Sequence, residues 1–356
     1  VIRPASPQEI LDWDSLVLKN SDGGHIYNSL AWGEFKKTAG WLPNYFVYQS
    51  AGYVLYFCLS SKQASFLGNI YYCSKGPGFF KDFLASADSS AHFMEFCNEL
   101  GPFMARFDSR AILVKIEPEL LDGQLDMKKV GLTKAKADLQ FKATIFVDLE
   151  PSQEDIIASF KQKTRYNIRL AERKGVVVEH REMTAQNVDL MYDLMLATKD
   201  RAGFFLRQKD YFGGYWQALA KAGLGQLLIA SHEGEVLAGI YATHFGSKGY
   251  YKDGGSFGTK RNLMAPYFLQ WQAMLWAKQQ GVTRYDLVAV PPKSQLDDPS
   301  HPQAGLYQFK RGFNEEVTEF TGCWDLAISK TKYQTWLKTE RQFLKLYSKM
   351  KSNLFW

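Results

Sequence analysis

The order of helix-like and strand-like patterning constrains this chain most, because it runs through one full series and then begins again. Residues 7–19 read as an amphipathic helix with Ile10, Leu11, Trp13 and Leu16 on its apolar face, and Ser29–Lys37 as a second. Asn44–Gln49 and Tyr53–Leu59 alternate as two strands around Ser50-Ala51-Gly52. A strand over Asn69–Lys75 stops at Gly76-Pro77-Gly78, a helix near 90–105 precedes the strand Ala111–Ile116, and Phe141–Leu149 ends the series at Pro151.

The second series opens on Ser152 with Asp155 three residues later, the spacing of a capping box, and predicts one helix running to a Gly175 cap. A strand at Val176–Glu179 and helices near 184–202 and 209–222 follow. Gln226–Ala230 and Val236–His244 pair through Glu233-Gly234, Tyr250–Asp253 adds a strand, and a long helix fills 262–280. Tyr285–Val290 is a last core strand, the proline-rich stretch 291–303 is a loop, and 330–352 is a basic amphipathic helix. With 356 residues to bury, two mixed α+β units are expected rather than one oversized core.

Composition excludes several classes. A hydrophobic share of 46% with 15% aromatics supplies packed cores and rules out general disorder. The net charge of +6 permits an anionic partner without requiring one. Cys58, Cys73, Cys97 and Cys323 show no CxxC spacing, and the six histidines form no ligand pair, so neither a metal nor a disulfide framework is expected. Reduced cysteines, no secretory leader and no apolar run of about 18 residues together suggest a cytoplasmic protein. No GxSxG, Cys-His or P-loop pattern appears, so neither a covalent nucleophile nor ATP is implied, and no cofactor is expected.

The sharpest local feature is Ser159–Val178, SFKQKTRYNIRLAERKGVVV. On one helix, Ile157, Phe160, Thr164, Ile168 and Ala171 would face a core, and Lys161, Arg165, Arg169 and Arg173 would form an adjoining basic stripe. Like charges four residues apart repel by a few tenths of a kcal/mol per pair, a cost that anionic phosphates would offset; a solvated basic face is the plain alternative.

Taken with four other segments, this block resembles the Fem peptidyltransferases, which build peptidoglycan cross-bridges. YCSKGPGF (Tyr72–Phe79) is similar to the family's first-domain turn, and YYKDGGSFGTKRNLMAPY (Tyr250–Tyr267) to its Gly-Ser turn and helix start. Tyr285-Asp286-Leu287 and GLYQFKRGF (Gly305–Phe313) resemble its last core strand and the element after it. The resemblance spans about Trp32 to Asp325 and implies two tandem Gcn5-related acyltransferase domains, 1–150 with 323–356 and 151–322, without the coiled-coil arm of larger members. It implies that an amino acid passes from aminoacyl-tRNA to the stem-peptide amine of UDP-MurNAc-pentapeptide or lipid II, in a monomer; the basic tail would allow peripheral contact with acidic lipid at the inner membrane face, with a solvated face as the plain alternative.

Residue by residue, Lys310 matches the lysine that stabilises the reacting ester, with Phe309 packing beside it. Lys36 in AWGEFK and Arg207 in FFLRQKDYF match ligands of the precursor's diphosphate, and Tyr211 and Tyr251 match its aromatic contacts. Glu117 stands where relatives carry an acid near the incoming amine, although a strand-end carboxylate beside Pro118 is the plain alternative. Lys161, Arg165, Arg169 and Arg173 would meet tRNA. Asp253 departs from the family's pattern, which leaves one phosphate contact open. Two rivals remain. An acyl-CoA N-acyltransferase would want glycines where Arg261–Pro266 has none, and a non-catalytic RNA binder would stack bases on Tyr166 and Tyr211.

Overall fold

The computed structural model describes residues 1–203, 205–351 and 354–356. Phe204, which begins one quoted motif, and Ser352, the expected end of the tail helix, lie outside the described residues. The chain divides into two compact units, 1–142 with 320–356, and 143–319.

The first unit opens with β1 (Ile2–Pro4), α1 (Pro7–Leu11), α2 (Trp13–Val17) and α3 (Leu30–Thr38). The meander β2 (Leu42–Ser50), β3 (Tyr53–Ala64) and β4 (Gly68–Ser74) follows, and α4 (Ala87–Phe107) leads to β5 (Ala111–Glu117) and β6 (Thr133–Lys134). The second unit holds β7 (Ala143–Asp148), α5 (Gln153–Ser159), α6 (Gln162–Arg173), β8 (Val177–Arg181), α7 (Ala185–Ala202) and α8 (Lys209–Lys221). Its meander is β9 (Gly225–His232), β10 (Glu235–Phe245) and β11 (Lys248–Ser256). From there α9 (Ala265–Gln279) leads to β12 (Arg284–Asp286), α10 (Ala304–Lys310) and β13 (Val317–Glu319), and the chain re-enters the first unit as β14 (Trp324–Ala327) and α11 (Lys330–Lys351).

Each unit has one seven-stranded sheet, ordered β1-β2-β3-β4-β5-β14-β6 and β13-β7-β12-β11-β10-β9-β8. In both, an antiparallel meander passes through a helix into a strand parallel to the meander's last one, β4 with β5 and β11 with β12. That repeated order is two tandem Gcn5-related acyltransferase-like units, and the described residues hold no coiled-coil arm. Phe46, Phe57, Phe96 and Leu100 centre the first core, and Ile145, Leu228, Ile240, Met274 and Tyr285 the second.

Local chemistry explains several elements as read. Ser152 caps α5 by accepting from Asp155 N, and Gly175 ends α6 at φ +78° with Val176 N donating back to Ala171 O. Glu233 and Gly234 both take positive φ, the two-residue turn whose twist matches paired strands.

Four expectations are corrected. The first helix breaks at Asp12, and Leu11 is exposed rather than on a buried face. The helix from Ser152 breaks at Phe160, whose extended backbone (ψ 154°) sends the ring into the core against Trp271 and Phe313. The strand near 141–149 belongs to the second sheet, between β13 and β12, and does not close the first. The strand expected to reach Val290 ends at Asp286, where the backbone bulges.

Candidate active site

The end of β12 carries the most unusual chemistry of the second unit. Leu287 N donates to Ile145 O and Val290 N to Ala143 O, so three steps on this strand oppose two on β7. The extra residue makes a bulge. Inside it, Val288 and Ala289 hold φ of +53° and +44°, a left-handed conformation that is strained for a β-branched valine. Their two carbonyls accept from Lys310 Nζ, at 2.5 and 2.9 Å, from the last residue of α10. The face of Tyr251 lies 5.4 Å from the same nitrogen.

Lys310 is only 2% exposed. Burial pushes its pKa down to about 7, against a partial opposing pull from the Asp286 carboxylate. An amine poised there is seated by fixed dipoles, which is what an oxyanion-stabilising cation needs. Phe309 packs beside it against Tyr267 and Phe313. Burial also raises the Tyr251 phenol.

Further along β11, the register with β10 shifts between Tyr241 and Ala242, so Tyr251 and Asp253 are both paired and Lys252 is the extra residue. Lys252 Nζ lies over the Tyr215 ring at 4.9 Å, and the Arg207 guanidinium over Tyr211 at 4.5 Å. Tyr211 and Tyr215, four apart on α8, touch at 6.0 Å between centroids. Arg207, Tyr211, Tyr215 and Lys252 thereby form one row of cation–aromatic contacts. Asp253 is engaged by the Tyr215 hydroxyl and by Trp216 Nε1, which donates at 2.9 Å. The glycine pair after it has a packing reason as well: a Cβ at Gly255 would overlap the Leu194 carbonyl of α7.

Sequence reasoning missed Lys252, Tyr215 and Trp216. The i, i+4 spacing of Tyr211 and Tyr215 was a usable signal, but the bulge that turns Lys252 toward Tyr215 leaves no trace in residue types.

The four basic residues do not share one helix. Lys161 precedes α6 and pairs with Glu315. Arg165 donates to Ala158 O at 2.9 Å and Phe160 O at 2.5 Å, satisfying carbonyls freed where α5 stops. Arg169 and Arg173 are exposed on α6. Part of the charge that seemed to call for phosphate is therefore met inside the protein.

Lys36 and Glu117 belong to the first unit. Lys36, at the end of α3, has its ammonium 5.4 Å from the centre of the Trp41 ring. Glu117 is buried at the end of β5, where Oε1 accepts from Leu139 N and Gln140 N at 3.1 and 3.0 Å and Oε2 accepts from Tyr72 Oη at 2.5 Å. Burial raises its pKa although these donors oppose the shift. The carboxylate thus pins the 139–140 loop to β5. Glu117→Gln keeps an oxygen for the two amides but turns an NH₂ to Tyr72, whose hydroxyl loses its acceptor, so it should cost only about 1 kcal/mol. Glu117→Ala strands three donors and should cost about 2–4 kcal/mol in a denaturant titration. A Gln variant that folds but does not turn over would instead assign Glu117 a proton-transfer role.

α11 buries Tyr333, Trp336 and Glu340 and exposes Lys338, Arg341, Lys345 and Lys349 beside Leu346 and Met350. No described helix is long and apolar enough to cross a membrane. The described residues contain no cluster of three or more His, Cys, Asp or Glu suited to a metal.

Comparison with known proteins gives the family. The model of the FemAB family matches residues 127–222 and 218–339. Lipid II:glycine glycyltransferase of Staphylococcus aureus is 20% identical, over 89% of this chain and 91% of its own length. The Staphylococcus epidermidis protein of the same name is 19% identical, over 95% of this chain and 96% of its own length. A crystal structure of FemX superposes with a TM-score of 0.79 at 20% identity, covering 94% of this chain and 99% of that one. With the family model matching more than half of its length, the chain belongs to the FemAB family.

Proposed function

We propose that this protein is an aminoacyltransferase of peptidoglycan synthesis, which takes an amino acid from aminoacyl-tRNA and adds it to the stem-peptide amine of a precursor. The observation that carries this reading is the match, over about nine-tenths of both chains, to staphylococcal lipid II:glycine glycyltransferases. The buried lysine on its bulge supplies the chemistry.

In the proposed reaction the stem-peptide amine attacks the ester carbonyl, a C–N bond forms, and the C–O bond to the ribose breaks. The amine's proton leaves with the ribose oxygen. The ester is already activated, so orientation and charge stabilisation are sufficient and no covalent enzyme intermediate is required. Lys310 faces the developing oxyanion. The Arg207 and Lys252 row, each cation backed by a tyrosine ring, suits the precursor's diphosphate.

The direct experiment incubates purified protein with a panel of charged tRNAs and either UDP-MurNAc-pentapeptide or lipid II, and follows the acceptor by mass spectrometry. Gain of one aminoacyl mass supports the reading. Turnover with an acyl-CoA and none with any tRNA overturns it.

Arg169 and Arg173 are the free-standing part of the tRNA proposal. Arg169→Glu with Arg173→Glu should leave stability and the KM for the precursor unchanged, raise the KM for aminoacyl-tRNA about tenfold, and flatten its logarithmic salt dependence by about one to two units. The same reversal at Lys161 or Arg165 should lower stability, because those side chains hold Glu315 and the end of α5.

A further inference from the structure

We infer that Thr144 and Asp286 are positioning residues that set the β12 bulge and, through it, the place and charge of Lys310. The inference rests on the reading of Lys310 given above.

Asp286 is the last residue of β12 and is nearly buried, as is Thr144 on β7. One carboxylate oxygen, Oδ1, accepts from the Thr144 hydroxyl and from Val288 N, the latter at 2.6 Å. A side chain that accepts from the backbone two residues on closes an Asx turn, a local device for holding residues outside a regular ladder. Here the turn opens the bulge. Leu287 and Val290 return to β7 on either side of Thr144, and the left-handed Val288 and Ala289 stand between them with both carbonyls on Lys310 Nζ. Val288 would relax toward extended backbone without a tether, and its carbonyl would leave the lysine. A strained β-branched residue persists only where its surroundings over-determine it. Thr144 and Asp286 are those surroundings.

Asp286 also acts by charge. Tyr251 from β11 and Asp286 from β12 are the titratable groups facing Lys310 from neighbouring elements. Arg311, next to it in sequence, is turned to Glu315 and the Tyr307 ring. Among the described residues, Asp286 is the carboxylate whose charge favours the Lys310 ammonium against its burial.

The test uses the full chain labelled with ¹³Cε-lysine, in which the Lys310 resonance is identified by its loss in Lys310→Met. In Asp286→Asn the side-chain oxygen can still accept from Val288 N and Thr144, so the bulge is retained while the charge is gone. The Lys310 midpoint should fall by about one pH unit. With aminoacyl-tRNA and lipid II as substrates, kcat at about pH 8 should then drop about tenfold, the factor that one unit implies when the ammonium is the active form, with both KM values held within about twofold. Thr144→Val, which loses one donor, should fold, keep both KM values and lower kcat by about threefold. Wild-type titration in Asp286→Asn together with wild-type kcat in both variants would overturn the inference. If Lys310→Met turns over at the wild-type rate, the catalytic reading of Lys310 fails, and a displaced midpoint in Asp286→Asn still supports the control of the Lys310 charge by Asp286.

Discussion

Lys310→Met should lower kcat for aminoacyl transfer by about 10²–10³, the usual cost of losing one preorganised oxyanion donor. The KM values should hold, since binding of the precursor's diphosphate is assigned to other cations. Methionine fills the volume of the lysine stem, so the loss cannot be put down to a cavity in a packed site. It does leave the Val288 and Ala289 carbonyls without their donor.

A pH experiment separates charge from packing. Burial holds the folded lysine at about 7, well below its ordinary value. Between about pH 7 and the unfolded value near 10.4, the unfolded chain keeps a proton that the folded chain has released. Stability therefore rises with pH across that window, and below it folding carries the full cost of a buried ammonium. The stability of the wild type relative to Lys310→Met should climb by a few kcal/mol from neutral pH to about pH 10, read from urea midpoints. Catalysis that depends on the ammonium should run the other way and fall as pH rises through about 7. Parallel curves for wild type and Lys310→Met would remove the lysine from both arguments.

Asp325→Ala should destabilise the first unit by about 3–5 kcal/mol, the cost of leaving a buried cation without its partner. Lys115 Nζ lies 2.8 Å from Asp325 Oδ1, with both side chains almost wholly buried. The pair bridges β5 and β14, and Tyr333 Oη of α11 donates to the other carboxylate oxygen at 3.1 Å. Burial works against the lysine's charge, and attraction to Asp325, its hydrogen bond and the other nearby acidic groups together outweigh it, leaving its pKa above the ordinary value. The contribution of that charge is therefore complete below about 10.4 and is lost only as pH climbs through the raised folded value. Lys115→Met with Asp325→Leu together should recover most of the loss, because the desolvation cost disappears with both charges. A single variant as stable as wild type in a denaturant titration would show that the pair does not tie the returning segment to the first sheet.

The family resemblance implies that return, with 323–356 joining 1–150, but the residue types themselves carry no sign of it. The helix and strand periodicities, the Ser152 and Gly175 caps and the Glu233-Gly234 turn are legible because they depend on neighbours within a few residues. The repeated order of elements and the family motifs around Lys310 and Arg207 were legible for the same reason. Pairing is different. Whether Ala143–Asp148 closes the first sheet or inserts between β12 and β13 depends on partners more than a hundred residues away, as does β14 lying beside β5.

The break at Phe160 shows where local pattern misleads. Apolar spacing alone favours one helix from Ser152 to Gly175, yet burying the Phe160 ring against Trp271 and Phe313 outweighs the hydrogen bonds the break gives up. Arg165 takes two of the freed carbonyls. The sequence by itself determined the α+β class and the twofold run of elements, and the family resemblance singled out the lysine proposed to meet the ester's developing charge. Tertiary structure alone decided what holds that lysine: an aspartate and a threonine on different strands, and a left-handed valine that no propensity favours. A strained turn persists only when contacts distant in sequence hold it, and such contacts exist only once the sheet has formed.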